Sequence, residues 1–225
     1  MQITIFPILL LLTQTVSPYN PTNSPQFSRR ALFKKNIASS AKVVTSFLAI
    51  SSLTPPPALA STSQLKDYID PNYSFKLSYP SSWVYTTQTL SDRRVLNLFV
   101  SPDIFGASAF VSYTPVRDDF TSLGSFGTVE QVGQSTILPK GDLANTGISS
   151  TLLSSTSKND AYYFDYTVDV NGEVKHLRTV FTLVGKEGNA GKVIVTFTVQ
   201  CNERDYGALK GNFDAIIDSY GKVKG

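Results

Sequence analysis

The sequence predicts an α+β fold, in which helices pack on an antiparallel sheet. Several segments rich in Tyr, Phe, Val and Thr alternate apolar and polar residues or run apolar throughout, as strands do. One carboxy-terminal segment instead repeats its apolar residues every three or four positions, as an amphipathic helix does. The 225 residues include a single cysteine, so no internal disulfide can staple the chain.

The first 60 residues have the charge pattern of a targeting peptide. They contain five of the twenty basic residues and none of the seventeen acidic ones, so the remainder carries fifteen basic against seventeen acidic residues. The overall basic character of the chain therefore comes from these first 60 residues, which we call the leader. A nearly neutral remainder gives no indication of a nucleic-acid-binding surface.

The order of features within the leader indicates export. Arg29 and Arg30 precede an apolar run from about Val43 to Leu53, which is followed by three prolines and an Ala-Leu-Ala ending. This order is typical of a twin-arginine signal, and the acid-free, Ser- and Pro-containing stretch upstream is typical of a transit peptide. We therefore expect residues 1–60 to be a composite targeting peptide that is removed and 61–225 to be the mature domain.

Two other interpretations of the leader remain open. It could be an amphipathic first helix of the domain, although Pro55, Pro56 and Pro57 would separate that helix from the rest of the domain. It could also be an ordinary secretory signal followed by a propeptide. The start of the chain, MQITIFPILLLLTQTVSPYN, is apolar too, but neither its apolar run nor that from about Val43 to Leu53 reaches the ~18 to 20 residues of a membrane-spanning helix.

Strands are predicted in order along the mature region. In YSFKLSYP, four apolar residues share one face: Tyr73, Phe75, Leu77 and Tyr79. The further strand candidates are RVLNLFV, SAFVSYTPV, AYYFDYTVDV, KHLRTVFTLVG and GKVIVTFTVQC. Asn171-Gly172 suits a tight hairpin turn. GKEGNAG predicts another hairpin and not a phosphate-binding loop, because Val193 stands where that loop needs Ser or Thr.

Two helices are predicted. A short one spans about Thr128 to Leu138, before a polar loop at 139–146. The carboxy-terminal helix presents an apolar stripe made by Tyr206, Leu209, Phe213, Ile216, Ile217 and Tyr220. We expect Trp83, the sole tryptophan, to be at least half buried, and Cys201 to be a buried or half-buried residue at a strand end.

Four blocks of the mature region resemble the PsbP family, the lumenal extrinsic proteins of photosystem II and their relatives. They are YSFKLSYPSSW, SAFVSYTPV with LGSFGTVEQV, AYYFDYTVDVNGEVKHLRTVFTLVG, and QCNERDYGALKGNFDAIIDSY, which occur in the right order and with fitting spacing. The resemblance covers essentially the whole mature chain. It implies an α/β/α sandwich around a twisted antiparallel sheet.

The resemblance also implies a function. It implies a non-catalytic, monomeric protein of the chloroplast thylakoid lumen, peripheral to the membrane and associated with photosystem II lumenal subunits or assembly intermediates. Such a protein is an extrinsic subunit of the oxygen-evolving complex or an assembly or repair factor. Only STSQLKDYID precedes the first predicted strand, whereas the plant extrinsic subunit has a longer basic segment there, which favours a PsbP-like or PsbP-domain protein. The alternative is a lumenal carrier of a metal or small apolar ligand.

Calcium or manganese is the cofactor that the resemblance implies, and it assigns the metal ligands to His176 and Glu203. The family's recurrent histidine falls on His176 and its aspartate partner on Glu203, while Tyr206 replaces the family's tryptophan. Imidazole nitrogen and carboxylate oxygen suit manganese or zinc, and two ligands need completion by water or a partner. The alternative is a strand histidine that is hydrogen-bonded to a neighbour.

An enzyme is the third and least favoured interpretation. The chain has no G-x-S-x-G motif, and its one histidine excludes multi-histidine metal catalysis.

Hard cations such as calcium require several converging oxygens, which the sequence does not show. We therefore expect solvated surface carboxylates at Asp67, Asp70, Asp118, Asp119, Asp169 and Glu173.

Overall fold

A computed structural model describes residues 64–90, 95–117, 119–138, 147–185 and 191–223. Within them the strands are β1 (Leu65–Ile69), β2 (Phe75–Pro80), β3 (Val84–Thr89), β4 (Val95–Val100), β5 (Ser108–Val116), β6 (Ile148–Lys158), β7 (Ala161–Val170), β8 (Glu173–Gly185), β9 (Lys192–Asn202) and β10 (Gly221–Lys222). The helices are α1 (Val129–Val132) and α2 (Glu203–Asp218). The predicted targeting signals and the loop at 139–146 lie outside the described residues.

Seven strands form one antiparallel sheet in the order β3-β4-β5-β9-β8-β7-β6. A smaller antiparallel sheet has the order β1-β2-β10. The α+β class is confirmed, and each of the six predicted strands is present. The hairpin predicted at Asn171-Gly172 is also confirmed. These two residues join β7 to β8, and their φ angles of 54° and 89° are those of a type I′ turn.

The central strands of the large sheet, such as β9, are buried on both faces, and alternate residues of each strand point to opposite faces. One face, which we call the helix face, packs against α2 and β2 in a single apolar cluster. Helix α2 directs four buried residues at it: Leu209, Phe213, Ile216 and Ile217. The opposite face is covered over β7 and β8 by residues 119–138, where the ring of Phe126 meets that of Phe181 edge-on.

The predicted helix at Thr128 to Leu138 is helical but changes type along its length. It begins with a capping box between Thr128 and Gln131 and widens into a π-helical turn over Gly133–Ile137. A Cβ atom on Gly133 would lie 3.0 Å from the ring of Phe164 and 3.1 Å from Leu152. The glycine therefore lets this segment lie directly on β6 and β7.

Sequence reasoning missed strands β1, β3, β6 and β10. Strand β10 has only two residues, and β3 and β6 are the two edges of the large sheet, where few side chains are buried. Strand β6 is built largely from Ser and Thr, and its register with β7 shifts between Leu152 and Ser154. Such a strand lacks the apolar alternation that identifies its neighbours.

The two single-residue burial expectations are confirmed. Trp83 is 8% exposed and belongs to the helix-face cluster. Cys201 is fully buried near the end of β9.

Candidate functional site

The structure brings His176 and Glu203 together between the sheet and α2. His176 lies on the helix face of β8 with its side chain only 4% exposed, and Glu203 is the first residue of α2. The Nδ1 atom of His176 lies 2.7 Å from Oε2 of Glu203. On the other side of the ring, Nε2 lies 2.6 Å from Oδ1 of Asp165, on β7.

Both ring nitrogens of His176 therefore face a carboxylate oxygen at hydrogen-bonding distance. A neutral imidazole has one N–H and one lone pair, so it can donate to only one of the two carboxylates. The imidazolium donates to both, with charge assistance at each end. The ring is thus held between Asp165 and Glu203 by one contact at each nitrogen.

Tyr206 completes the enclosure of the histidine. Its ring stacks on the imidazole with the centroids 3.3 Å apart and the planes 9° from parallel. Burial, followed by the charge of Asp165, raises the pKa of Tyr206 to about 12. An uncharged aromatic ring therefore covers His176.

Arg178 extends the network along the same face of β8. Its guanidinium donates to Asp214 of α2, and its Nε lies 3.7 Å from Oδ2 of Asp165. Lys210 also donates to Asp214, at 2.8 Å. Burial alone would raise the pKa of Asp214, but the hydrogen bonds from Lys210 and Arg178 outweigh it and hold that pKa below its usual value.

We call this cluster the histidine network; it consists of Asp165, His176, Arg178, Glu203, Tyr206, Lys210 and Asp214. The helix residues recur at steps of three and four, which places them on one stripe of α2. Sequence reasoning missed Asp165, Arg178, Lys210 and Asp214. The available signal was a pair of charged residues, Asp165 and Arg178, at helix-facing positions of otherwise apolar strands.

The donor chemistry of the network suits a transition metal better than calcium. Nitrogen from His176 with oxygen from Glu203 fits manganese or zinc, whereas calcium takes six to eight oxygens. Among the described residues, no group of three or more His, Cys, Asp or Glu side chains could hold a metal ion. An ion held by His176 and Glu203 would therefore need water or a partner to complete its coordination.

Cys201 stands directly opposite His176 in the pairing of β8 with β9, a proximity that the sequence did not indicate. Burial, together with the carboxylates of Asp205 and Glu203, raises the pKa of the thiol to about 12. His176 directs both nitrogens at carboxylates and away from the role of a base for this thiol. The pair therefore lacks the activated thiolate that nucleophilic catalysis requires.

The expectation of a solvated carboxylate is wrong for Asp70, which is 8% exposed. One of its oxygens accepts the N–H groups of Asn72 and Tyr73, and the other accepts the hydroxyls of Tyr68 and Tyr113. Asn97 donates to both of those hydroxyls, at 2.8 and 2.7 Å. We call this cluster the Asp70 node. It joins β1 to β4 and β5, and its burial raises the pKa of Tyr68 and of Tyr113.

The other carboxylates bind nearby groups of the chain. Asp67 accepts from Ser78, Asp119 pairs with Arg117, and Asp169 accepts the N–H of Gly172 in the hairpin turn. Glu173 is exposed at the start of β8, and Asp118 lies outside the described residues. The described carboxylates thus lie apart and do not form a calcium site.

Comparison with known proteins agrees with this fold. The sequence model of the PsbP family matches residues 63–221, so the chain is a member of the PsbP family. PsbP domain-containing protein 3, chloroplastic, of Arabidopsis thaliana is 25% identical over 171 residues, which are 73% of this chain and 68% of that protein.

A solved structure shares the fold of this chain. The cyanobacterial PsbP (CyanoP) of Synechocystis sp. PCC 6803 has a TM-score of 0.54 at 20% identity, over 72% of this chain and 95% of that one. The Ran-binding protein Mog1p of Saccharomyces cerevisiae has a TM-score of 0.43 at 10% identity, over 72% and 97%, a likeness that says nothing about function. No helix among the described residues is long and apolar enough to cross a membrane.

Proposed function

We propose that this protein is a non-catalytic docking protein of the thylakoid lumen that associates with photosystem II as an extrinsic subunit or as an assembly or repair factor. The observation that carries the proposal is the PsbP match, which spans nearly every described residue. The chloroplastic name of the Arabidopsis relative supports a plastid location.

The chemistry of the described residues supports a docking role over a catalytic one. The sole cysteine has a raised pKa, and the sole histidine is enclosed by Asp165, Glu203 and Tyr206. These groups fix α2 to the sheet. They leave Glu203 and Lys210 partly exposed, with side chains 45% and 59% accessible. A rigid surface with fixed charges is suited to recognition of a partner.

The proposal is tested by native gel electrophoresis of gently solubilised thylakoids from cells that make the full chain. We expect the protein to co-migrate with photosystem II or its assembly intermediates and to be released by high salt, as a peripheral protein is. Migration solely as a free monomer, at low salt and in every fraction, would refute the association and favour the carrier alternative.

A divalent ion at His176 and Glu203 is a second candidate function. The specific observation is the 2.7 Å approach of Nδ1 to Oε2, because His176 and Glu203 would both be near enough to hold an ion that displaced the proton, with water completing its coordination. Each metal ligand must be deprotonated, so affinity for manganese or zinc should fall as the pH is lowered.

Calorimetric titration of the purified protein with manganese or zinc at about pH 7.5 and about pH 5.5 tests this candidate. We expect weaker binding at the lower pH, none in His176→Ala, and reduced binding in Glu203→Gln. Asp169→Asn, which changes a half-buried carboxylate outside the network, serves as the control and should bind as the wild type does. Wild-type affinity in His176→Ala would leave His176 as a purely structural residue.

A further inference from the structure

The loop between β4 and β5 holds an aromatic side chain in solvent. Phe105 is 76% exposed, the highest value among the exposed large apolar side chains of the described residues. An exposed phenylalanine does not contribute the favourable free energy that burial of its ring would supply. The surrounding loop shows whether this exposure results from a loose segment or from a fixed one.

The loop is fixed by its own hydrogen bonds. The N–H of Ser101 donates to the carbonyl of Ala107 at 3.0 Å, and the N–H of Ala107 donates to the carbonyl of Ile104 at 3.1 Å. The N–H of Ile104 donates to Oγ of Ser101 at 3.1 Å. Ile104 also packs against the helix-face cluster, so the residue before Phe105 anchors the loop while Phe105 points outward.

Asn202 attaches the loop to the start of α2. This residue is 7% exposed, and its Nδ2 lies 3.4 Å from the carbonyl oxygen of Phe105. Gly106 has a φ angle of +83°, and a Cβ atom there would lie 3.2 Å from Oδ1 of Asn202, so glycine permits both the turn and the close approach. Phe105 is therefore presented in a defined position beside the first turn of α2.

Apolar and charged residues lie at the same end of the sheet as this loop. Val84 and Val100 are cross-strand partners at the same end of the sheet and are 59% and 37% exposed. The loop and the first turn of α2 carry three carboxylates, Asp103, Glu203 and Asp205, and one guanidinium, that of Arg204, which is itself paired with Asp205 at 3.5 Å. This end of the sheet thus carries exposed apolar side chains together with an excess of carboxylates, which we call the acidic margin.

We propose that Phe105, together with Val84 and Val100, forms a docking surface for a protein partner that offers an apolar pocket bordered by Lys or Arg. Rigid, exposed aromatic side chains are the residues that most often dominate binding at protein interfaces, because little conformational freedom is lost when they dock. The acidic margin selects a basic partner and disfavours an anionic lipid surface. This inference rests on the proposed docking function and names the surface that performs it.

The first test compares Phe105→Ser with Leu153→Ser in cells that make the full chain. Leu153 is 54% exposed on the edge strand β6 and serves as the matched control. Loss of a dominant interface residue weakens association about 30-fold, so Phe105→Ser should dissociate from the photosystem II complex at protein concentrations at which Leu153→Ser stays bound. Phe105→Leu should retain most of the association, and Asp103→Lys should weaken it most at low salt.

The second test places the photocrosslinking residue p-benzoylphenylalanine at position 105 or 153 of the full chain. The proposal requires a crosslink from position 105 to a lumenal photosystem II segment with apolar residues flanked by Lys or Arg, and a weaker crosslink from position 153. Crosslinks from position 105 only to lipid, or only to proteins outside the photosystem II complex, would overturn it.

The outcomes separate this inference from the proposed function. If the wild type co-migrates with photosystem II and Phe105→Ser does so equally well, the docking surface lies elsewhere and the proposed function stands. If the wild type does not co-migrate, the proposed function fails and this inference fails with it. Equal melting temperatures of Phe105→Ser and the wild type are expected, because the side chain lies in solvent, and they exclude misfolding as the cause of release.

Discussion

His176 of β8 connects its strand to β7 and to helix α2. Through its two ring nitrogens it links β7 to the first residue of α2, and through its face it contacts Tyr206. The same residue is the proposed metal ligand, so a metal would have to displace a hydrogen bond that holds the helix to the sheet. Ion binding and helix attachment would therefore compete for the Nδ1 atom.

Substitution of Trp83 by alanine should strongly destabilise the fold. The residue is only 8% exposed within the helix-face cluster, and removal of a core tryptophan typically costs ~3 to 5 kcal/mol. We expect the melting temperature to fall by roughly 10 °C. The intrinsic fluorescence of the wild type should be blue-shifted, because this is the only tryptophan in the chain. Solvent-like emission with an unshifted melting temperature would contradict the burial.

Asp214 should contribute stability that depends on pH. Its pKa is lower in the folded state than the ~3.9 of an unfolded aspartate, so the contribution is present above that value and is lost as the pH falls through the folded pKa. Asp214→Asn should lower the melting temperature at neutral pH, and the difference should shrink as the pH falls below the unfolded value and through the folded pKa. A difference that does not change with pH would contradict this assignment.

The control for this substitution is Asp218→Asn. Asp218 lies 3.8 Å from Lys158, and both side chains are more than half exposed. Exposed ion pairs of this kind contribute little to stability. The melting temperature should therefore change little at any pH.

At the scale of single elements, apolar pattern determined what the sequence could predict. Strands β5 and β7 were located to the residue, because Tyr, Phe and Val dominate them, and α2 was located by its apolar stripe. Edge strand β6 was missed, since its pairing with β7 depends on backbone hydrogen bonds and not on apolar alternation.

The candidate site was predictable only in part, for a related reason. The resemblance supplied His176 and Glu203, which are 27 residues apart in sequence. Asp165 and Arg178 become members of the network because β7 and β8 pair in a register that sets them opposite each other. No local pattern encodes that register together with the placement of α2 over it.

Helix α2 should become more stable when its exposed glycines are replaced. A Cβ atom on Gly211 would meet nothing within 4 Å, so Gly211→Ala should raise the unfolding free energy by about 0.5 to 1 kcal/mol through helix propensity. Gly133→Ala is the contrasting variant, because its Cβ would press on Phe164 and Leu152. Chemical denaturation measures both. A gain in stability for Gly133→Ala equal to that for Gly211→Ala would contradict the tight packing of residues 119–138 on the sheet.

The whole molecule joins two sheets of unequal size. The large sheet and α2 form most of the helix-face cluster, and the small sheet adds β2 to it through Phe75, Leu77 and Tyr79. The Asp70 node supplies the polar connection between the same two sheets. Apolar burial thus supplies most of the stabilisation of the contact between the two sheets. The Asp70 node specifies how β1 lies against β4 and β5.

At the same scale, if residues 1–60 are the twin-arginine targeting peptide that the sequence predicts, delivery to the proposed lumenal location should depend on Arg29 and Arg30. Arg29→Lys together with Arg30→Lys should prevent lumenal accumulation in import assays, while Lys34→Arg together with Lys35→Arg should not. Collapse of the transmembrane proton gradient should block import of the wild type. Normal lumenal processing of the double arginine variant would contradict the twin-arginine route.

The Asp70 node sets a limit on amino-terminal trimming. A chain that starts at Ser61 keeps Tyr68 and Asp70, whereas a chain shortened to Ser74 loses both and leaves the buried Asn97 amide and Tyr113 hydroxyl without those partners. The shortened chain should be degraded faster in pulse proteolysis. Any peptidase that removes the leader must therefore stop before β1, or the product becomes a substrate for protein quality control.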